Sequence, residues 1–342
     1  MTENRNAKTL GPFVSALTLG DPIGHLNLTL VPLHNGQGTG LDYILAADAI
    51  AAGVLVVTEV GEHGSVPELM AVSTSERMIL LLDGEELVGA KQNRILNTTV
   101  LLPANARTKI PVSCVEQGRW RHTSNAFCSG AFSPSMVRAS KSRSVGRNLR
   151  QSGAAISDQL DVWDKVACCM ADAGATSPTG AMHDVLEQRR QSLDAYLDAL
   201  PYPAGACGVI VAINGIFAAM DAFDKPETLG RVWPRLMTGY AMDAIGRNAP
   251  GGAPFTAKGA KELLDYVGEL ECAPCPSAGV GEDWRFESAG VVGQALVVGR
   301  ACVHMSVFPN AGDDLRDRRG SAIQSPSRRR ARRRRNEDGP IV

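Results

Sequence analysis

The strand Leu26-Asn-Leu-Thr-Leu-Val-Pro-Leu33 alternates apolar and polar positions, the period of a half-buried strand. Further apolar runs follow at short intervals: Val54–Val60, Leu69–Val72, Met78–Leu82, Ile95–Leu102 and Ile110–Val115. Gly, Pro, Asp or Asn marks most of the gaps, which predicts turns between successive strands. One helix is expected to interrupt them over Leu41–Ala52, where Leu41, Ile44, Leu45, Asp48 and Ala52 fall on a helical repeat. Strands that follow one another through short links favour antiparallel pairing.

The middle of the chain changes period. Pro134–Gln151 carries helix formers and a basic face. Ile156–Asp172 aligns Leu160, Trp163, Val166, Ala167 and Met170 in one stripe, and Met182–Leu200 does the same with Val185, Leu186, Leu193, Tyr196 and Leu197. The chain then returns to strand at Gly208–Ile213 and Ile216–Met220, joined by Asn214-Gly215, a strong hairpin signal. Leu229–Ile245 reads as helix, and Trp284–Phe286 and Gly290–Phe308 as strands that turn at Gly299-Arg300. No regular β-α-β alternation and no internal repeat is present. The expectation is an α+β fold, mostly antiparallel sheet with a helical layer, and not a doubly wound parallel sheet. One domain is expected over 10–310: strand-rich 10–125, helical 133–200, mixed 208–310.

Composition adds a tail to this picture. The chain is 44% hydrophobic, 21% charged and 5% aromatic, which is globular. Its net charge of −1 hides a +5 segment over 311–342, where ten arginines stand against five acids, so the body carries −6. Arg328–Arg335 has no apolar face to bury. That tail is expected to be disordered, either a solvated extension or a polyanion-binding arm. No apolar run approaches the roughly 20 residues of a membrane span, and the first residues lack the order of a signal peptide, so a cytoplasmic protein is expected. Of eight cysteines only Cys272-Ala-Pro-Cys275 has ligand spacing, and without a second close pair it reads as structurally incidental rather than as zinc or redox chemistry.

Candidate chemistry concentrates in Asp83-Gly-Glu-Glu-Leu-Val-Gly-Ala-Lys-Gln-Asn-Arg94, read as a long polar loop between two apolar strands. Lys91 and Arg94 suit a phosphate or carboxylate, Arg94 in bidentate fashion. Gln92 and Asn93 can donate and accept at once, and Glu85 and Glu86 can hold hydroxyls, a metal or a proton. The alternative is a solvated turn held by its own salt bridges. Glu59 closes an otherwise apolar strand, and His63 sits in the exposed Glu62-His-Gly64 stretch that follows. Gly36-Gln-Gly-Thr-Gly40 lacks the spacing of a dinucleotide or P-loop fingerprint and reads as a flexible connection. His304, inside an apolar strand, reads by default as a core histidine.

Glu59-Val-Gly-Glu-His-Gly-Ser-Val66, Asp83–Arg94, Val115-Glu116 with Trp120, and Asp158-Gln-Leu-Asp-Val-Trp163 resemble the ARG- and rhodanese-phosphatase-superfamily-associated protein family over about Leu10–Phe308. Gly-Ala-Lys-Gln-Asn-Arg is the most specific part, with Ala90 where the resemblance leads one to expect glycine. The family's name records association with ADP-ribosylglycohydrolases and rhodanese-like phosphatases, which implies work near ADP-ribose or NAD metabolism. It implies no established reaction and no cofactor. By resemblance the site residues are Glu59 and Glu85 as catalytic carboxylates, with Lys91, Gln92, Asn93, Arg94, Glu116, Gln159 and His304 as ligand-binding groups. The expected function is a ligand-binding protein or hydrolase for an ADP-ribose- or NAD-related phosphorylated compound. The alternative is a non-catalytic module that docks a partner enzyme of the ADP-ribosylglycohydrolase type.

Overall fold

The computed structural model describes residues 8–35, 38–61, 64–247 and 255–310. The Arg-rich tail, Glu62-His63 and Gly36-Gln37 lie outside the described residues. In chain order the first half holds β1 (Lys8–Thr9), α1 (Gly11–Val14), β2 (Leu17–Leu19), β3 (Ile23–His25), β4 (Leu28–Asn35), β5 (Tyr43–Leu45) and α2 (Ala46–Ala51). Then come β6 (Leu55–Glu59), β7 (Glu68–Ser73), β8 (Met78–Leu81), β9 (Glu85–Gly89), β10 (Arg94–Leu96), β11 (Val100–Leu102), β12 (Arg107–Cys114) and β13 (Phe127–Phe132). Three helices follow: α3 (Ser135–Ser152), α4 (Gln159–Asp172) and α5 (His183–Ala199). The chain ends with β14 (Gly208–Ile213), β15 (Ile216–Phe223), α6 (Pro226–Ile245), α7 (Ala257–Glu269), β16 (Glu271–Pro276), β17 (Glu282–Glu287), β18 (Val291–Val298) and β19 (Ala301–Pro309).

The class is α+β with mostly antiparallel sheets, not a doubly wound parallel one. A ten-stranded sheet runs β1-β16-β17-β18-β19-β15-β14-β4-β2, with β3 also on β4. Because β4 pairs with β14 and β1 with β16, both ends of the described chain meet in this sheet. A six-stranded sheet runs β13-β9-β10-β12-β7-β6, and its outer strands β13 and β6 approach each other, so it curls like a small barrel. A three-stranded sheet, β11-β8-β5, contains the parallel pair β5–β8. Leu55, Val57, Leu69, Leu87, Leu96 and Val112 fill the inside of the curl with their neighbours.

Local expectations meet the structure unevenly. The Asn214-Gly215 hairpin forms, with φ of 52° and 75° at the two turn residues, as a primed turn requires. The strand expected over Leu26–Leu33 begins at Leu28, after a turn that puts Leu26 at φ 52°, and it is buried on both faces rather than half-buried, because helices and loops cover the sheet. The helix expected from Leu41 starts as β5, since Tyr43–Leu45 pair with β8 before α2 begins. Ile95–Leu102 is two strands, not one: Asn97, Thr98 and Thr99 form a buried bend between sheets. The Asp83–Arg94 loop is corrected too. It contains β9, paired on both sides.

Two basic residues of α3, Arg138 and Lys141, point inward onto the large sheet, while Arg147 and Arg150 are exposed. Arg138 reaches Asp221 with Nη1 at 2.8 Å and Nη2 at 2.6 Å, and Asp83 with Nε at 3.3 Å. Lys141 donates to Asp83 and, at 3.0 Å, to the Asn97 carbonyl. Tyr240 donates to Asp221 at 2.5 Å. Arg285, Gln294, Ser306 and Asp221 stand directly opposite one another on β17, β18, β19 and β15, a polar row across the sheet. His304 sits beside it, fully buried, with Nε2 3.0 Å from Asp221 Oδ1, Nδ1 2.7 Å from Thr99 Oγ1, and its ring stacked on Phe223. Burial pushes the Lys141 ammonium down to about 8 although Asp83 pulls the other way.

Candidate functional site

Inward-facing rows of the curl change character at one end. Along β6 the buried positions are Leu55 and Val57, and the next on that face is Glu59. On β12 the row Ile110, Val112 continues to Cys114, and on β10 Leu96 is preceded by Arg94. Strand alternation therefore delivers a carboxylate, a thiol and a guanidinium to the mouth of an apolar interior.

Arg94 is fully buried there. Its Nη1 donates to the Val66 carbonyl at 3.3 Å and to Cys114 Sγ, while Nη2 lies 3.9 Å from Glu59 Oε2. Nε and Nη2 of Arg94 and Oε2 of Glu59 make no hydrogen bond. The backbone N–H of Lys91 donates to Glu59 Oε1 at 3.3 Å. Lys91 Nζ and the Arg94 guanidinium carbon lie 5.5 and 5.6 Å from the Trp120 ring centre, and that indole is 49% exposed. Gly64 passes over the pair: a Cβ there would fall 3.2 Å from Glu59 Oε2 and 3.5 Å from Lys91 Nζ. Burial pushes the Cys114 thiol up to about 11 despite Arg94, so it is not an activated nucleophile.

The turn from β9 to β10 is held in shape by groups far along the chain. Ala90 takes φ 41°, a left-handed conformation that glycine adopts more readily, and its N–H is met by Ser124 Oγ at 2.9 Å. Glu116 accepts from the Asn93 N–H at 3.1 Å and from Thr179 Oγ1 at 2.9 Å. Arg119 pairs with Glu116 at 2.6 Å and donates to the Ala90 carbonyl at 2.6 Å, the Gly89 carbonyl at 3.3 Å and Asn93 Oδ1 at 3.0 Å. Burial would raise the Glu116 carboxyl, but Arg119, the Asn93 N–H and Thr179 outweigh it and hold it below its ordinary value. Asn93 and Glu116 thus hold the shape of the turn.

Glu59, Lys91 and Arg94 come together, and Gln92 is buried beside them. The others lie elsewhere. Glu85 stands two positions, about 7 Å, along β9 from Leu87, the residue paired with Arg94, and its carboxylate is engaged elsewhere, accepting from Ser129 Oγ at 2.5 Å and from Arg235. Gln159 bonds both backbone groups of Cys114 at 2.8 Å, in the manner of a neighbouring strand. His304 belongs to the sealed core. The sequence reading missed Arg119 as the clamp and Cys114 under Arg94. An arginine three residues after Glu116 was the available signal, since i,i+3 spacing lets the two meet.

A family model, the ARG and Rhodanese-Phosphatase-superfamily-associated Protein domain, matches residues 16–308. The chain belongs to that family. The match takes in the curl, its mouth and most of the large sheet, so the associated-protein domain includes Glu59, the β9–β10 turn, the Glu116–Arg119 clamp and His304 alike. No curated protein and no solved structure gives a significant match. Among the described residues of this associated-protein domain, no group of three or more His, Cys, Asp or Glu is placed to hold a metal ion, and no helix is long and apolar enough to cross a membrane. A shallow depression along α5, lined by Glu187, Arg190 and Asp194, touches none of the mouth groups.

Proposed function

We propose that the mouth of the curled sheet binds a small phosphorylated compound of the ADP-ribose or NAD type. The observation that supports this most is the unmet hydrogen-bonding capacity of Arg94: a fully buried guanidinium whose Nε and Nη2 make no hydrogen bond, Nη2 lying 3.9 Å from a Glu59 oxygen that also makes none. Leaving such groups without partners costs about 1–3 kcal/mol each, more when charged, so a site like this gains most from a ligand that supplies them. A phosphate oxygen pair fits the Nε–Nη2 edge, and Glu59 Oε2 accepts from a ribose hydroxyl or takes a proton from it. The open face of Trp120 offers a stacking surface for a base. Glu85, held by Ser129 and Arg235, has no part in this binding, and Asn93 acts through the turn.

A thermal unfolding series with ADP-ribose, NAD and inorganic pyrophosphate tests the reading. Ligand at 100 times its dissociation constant stabilises by about 2.7 kcal/mol, and Arg94→Met and Lys91→Ala should abolish most of the shift. An unshifted wild type, or an equal shift in both variants, overturns it.

The second reading is a docking module for an enzyme of the ADP-ribosylglycohydrolase type, favoured by the family's name and by the exposed Trp120 and Val66 at the mouth. It predicts complex formation that shields Trp120 and survives without small ligands. A comparison with and without residues 311–342 separates the body's contribution from the tail's.

A further inference from the structure

Glu86 is the most buried carboxylate on β9, and His183 is its one hydrogen-bond partner among the described residues, through Nδ1 at 3.1 Å from Oε2. Oε1 makes no hydrogen bond at all. The imidazole is the first residue of α5 and its side chain is 33% exposed, whereas Glu86 is sealed. Gly130 makes the arrangement possible. It lies where β13 shifts register against β9, and a Cβ there would fall 3.0 Å from Glu86 Oε2 and 2.9 Å from Val88. Register breaks of this kind recur beside working sites.

The pair is not needed to hold α5 in place. The segment before the helix is already fixed: the Met182 N–H bonds the Val115 carbonyl at 2.9 Å, Ala181 bridges Glu116, and Thr179 donates to Glu116. A buried carboxylate with one oxygen unmet is a costly way to add an anchor that backbone bonds supply. It does serve another purpose. A carboxylate on Nδ1–H fixes the tautomer in which Nε2 carries the lone pair, and Nε2 of this one-third exposed ring has, among the described residues, only Glu187 Oε1 beside it, 4.0 Å away.

We propose that His183 is a proton-transfer residue, oriented by Glu86, whose Nε2 accepts a proton from a water or an alcohol, such as a sugar hydroxyl, presented at the start of α5. As the O–H bond breaks, Nε2 gains the proton while the oxygen's electron pair forms a bond to an electrophilic carbon or phosphorus of a bound substrate; the imidazolium, met by the Glu86 carboxylate, then returns the proton to the group that leaves that centre. This centre lies on the opposite face of β9 from the Lys91–Arg94 mouth and stands without the phosphate reading. The charged groups acting on His183 are Glu86 on β9 and Asp184 and Glu187 on α5, and Glu116 after β12 acts on Glu86; Glu187 Oε1 lies 4.0 Å from Nε2. The Glu86 hydrogen bond foremost, then Glu187 and Asp184, raise the imidazole above its ordinary value although burial opposes them, and burial raises Glu86.

The test uses the full chain. Nitrogen-15 spectra of the ring across pH 5–9 should show the Nδ1–H tautomer and a midpoint above about 6.5. Diethyl pyrocarbonate, with modified sites read by peptide mass, should acylate His183 with that same midpoint. In Glu86→Gln the midpoint should fall and the limiting rate drop several-fold, while His122 is unchanged. His183→Gln, which can still donate to Glu86, should keep the melting temperature within a few degrees. An Nε2–H tautomer or an ordinary midpoint in the wild type overturns the proposal without any variant. So does a melting loss of ten degrees or more in His183→Gln, which would make the pair an anchor.

Discussion

Two buried charge clusters flank the same stretch of chain and differ in how their hydrogen bonds are met. At Asp83, the interior cluster gives Asp83 and Asp221 partners from Arg138, Lys141, Tyr240 and His304. At Arg94, the mouth cluster leaves a guanidinium edge and a carboxylate oxygen unmet. In the first, the charges of Asp83 and Asp221 are each met where they stand, although Arg285 Nη1 and both amide atoms of Gln294 in the adjoining polar row make no hydrogen bond. The second leaves hydrogen-bonding capacity unmet, which on the proposed reading a ligand would supply. The proposal gives structure to one and binding to the other, although both are equally hidden from water.

The comparison breaks most easily at Arg138. Removing one partner of a buried, fully paired network costs about 3–5 kcal/mol, so Arg138→Ala should lower the urea midpoint severely or prevent folding. Acid should act on the same cluster. Burial opposes ionisation of Asp83 and Asp221, but Lys141 and Arg138 for the first and Arg138 and His304 for the second hold both carboxyls below their ordinary range. A group with a depressed native value stabilises above about pH 3.9 and loses that contribution as pH falls through the native value. Stability followed by circular dichroism should therefore be flat near neutrality on this account and fall below about pH 4.

Arg119→Lys sharpens the mouth. An ammonium cannot reproduce the fork that meets Glu116, Asn93 and two carbonyls at once, so a loss of about 1–3 kcal/mol is expected from the unmet groups. Binding of ADP-ribose by the stabilised remainder should weaken with it, because the turn that presents Lys91 and Arg94 loosens. A variant that keeps full binding while losing stability would show that the clamp shapes nothing the ligand feels.

Arg94→Met tests the other side of the contrast with a smaller effect. Alone it would strand the buried Glu59 carboxylate, but combined with Glu59→Gln, which removes that charge, it should change stability by about 1 kcal/mol or less, far below Arg138→Ala. A loss as large as that of Arg138→Ala would mean the mouth is as structural as the interior, and the distinction fails.

What the sequence disclosed follows the same division. The antiparallel α+β class, the Asn214-Gly215 hairpin and helices α3 to α6 were legible because each depends on local periodicity or turn chemistry. Glu59 was legible because it ends an apolar row, and that row is the inside of the curl. The Asp83–Arg94 stretch misled because its acids are buried against partners far away, Glu85 against Arg235 and Glu86 against His183, so strand β9 carries the polarity of a loop. The basic positions of α3 misled for the same reason: Asp221 lies 83 residues beyond Arg138. Periodicity reports whether a face is polar, not whether a counter-charge is waiting for it.

The smallest stability effect belongs to Trp120. Its ring is half exposed and touches the mouth through Lys91 and Arg94, so Trp120→Leu should shift stability by about 0.5 kcal/mol or less. Binding should respond more. Base stacking on an aromatic side chain is worth about 1–3 kcal/mol, which is roughly a 5- to 150-fold loss in ADP-ribose affinity. Inorganic pyrophosphate, which has no base, should bind the variant and the wild type alike. The difference between the two ligands isolates the ring from the cations beneath it. Equal losses for both would place Trp120 in the phosphate contact instead, as a cover for Lys91 and Arg94, and equal retention of both would leave the mouth with phosphate recognition and no preference for a nucleoside.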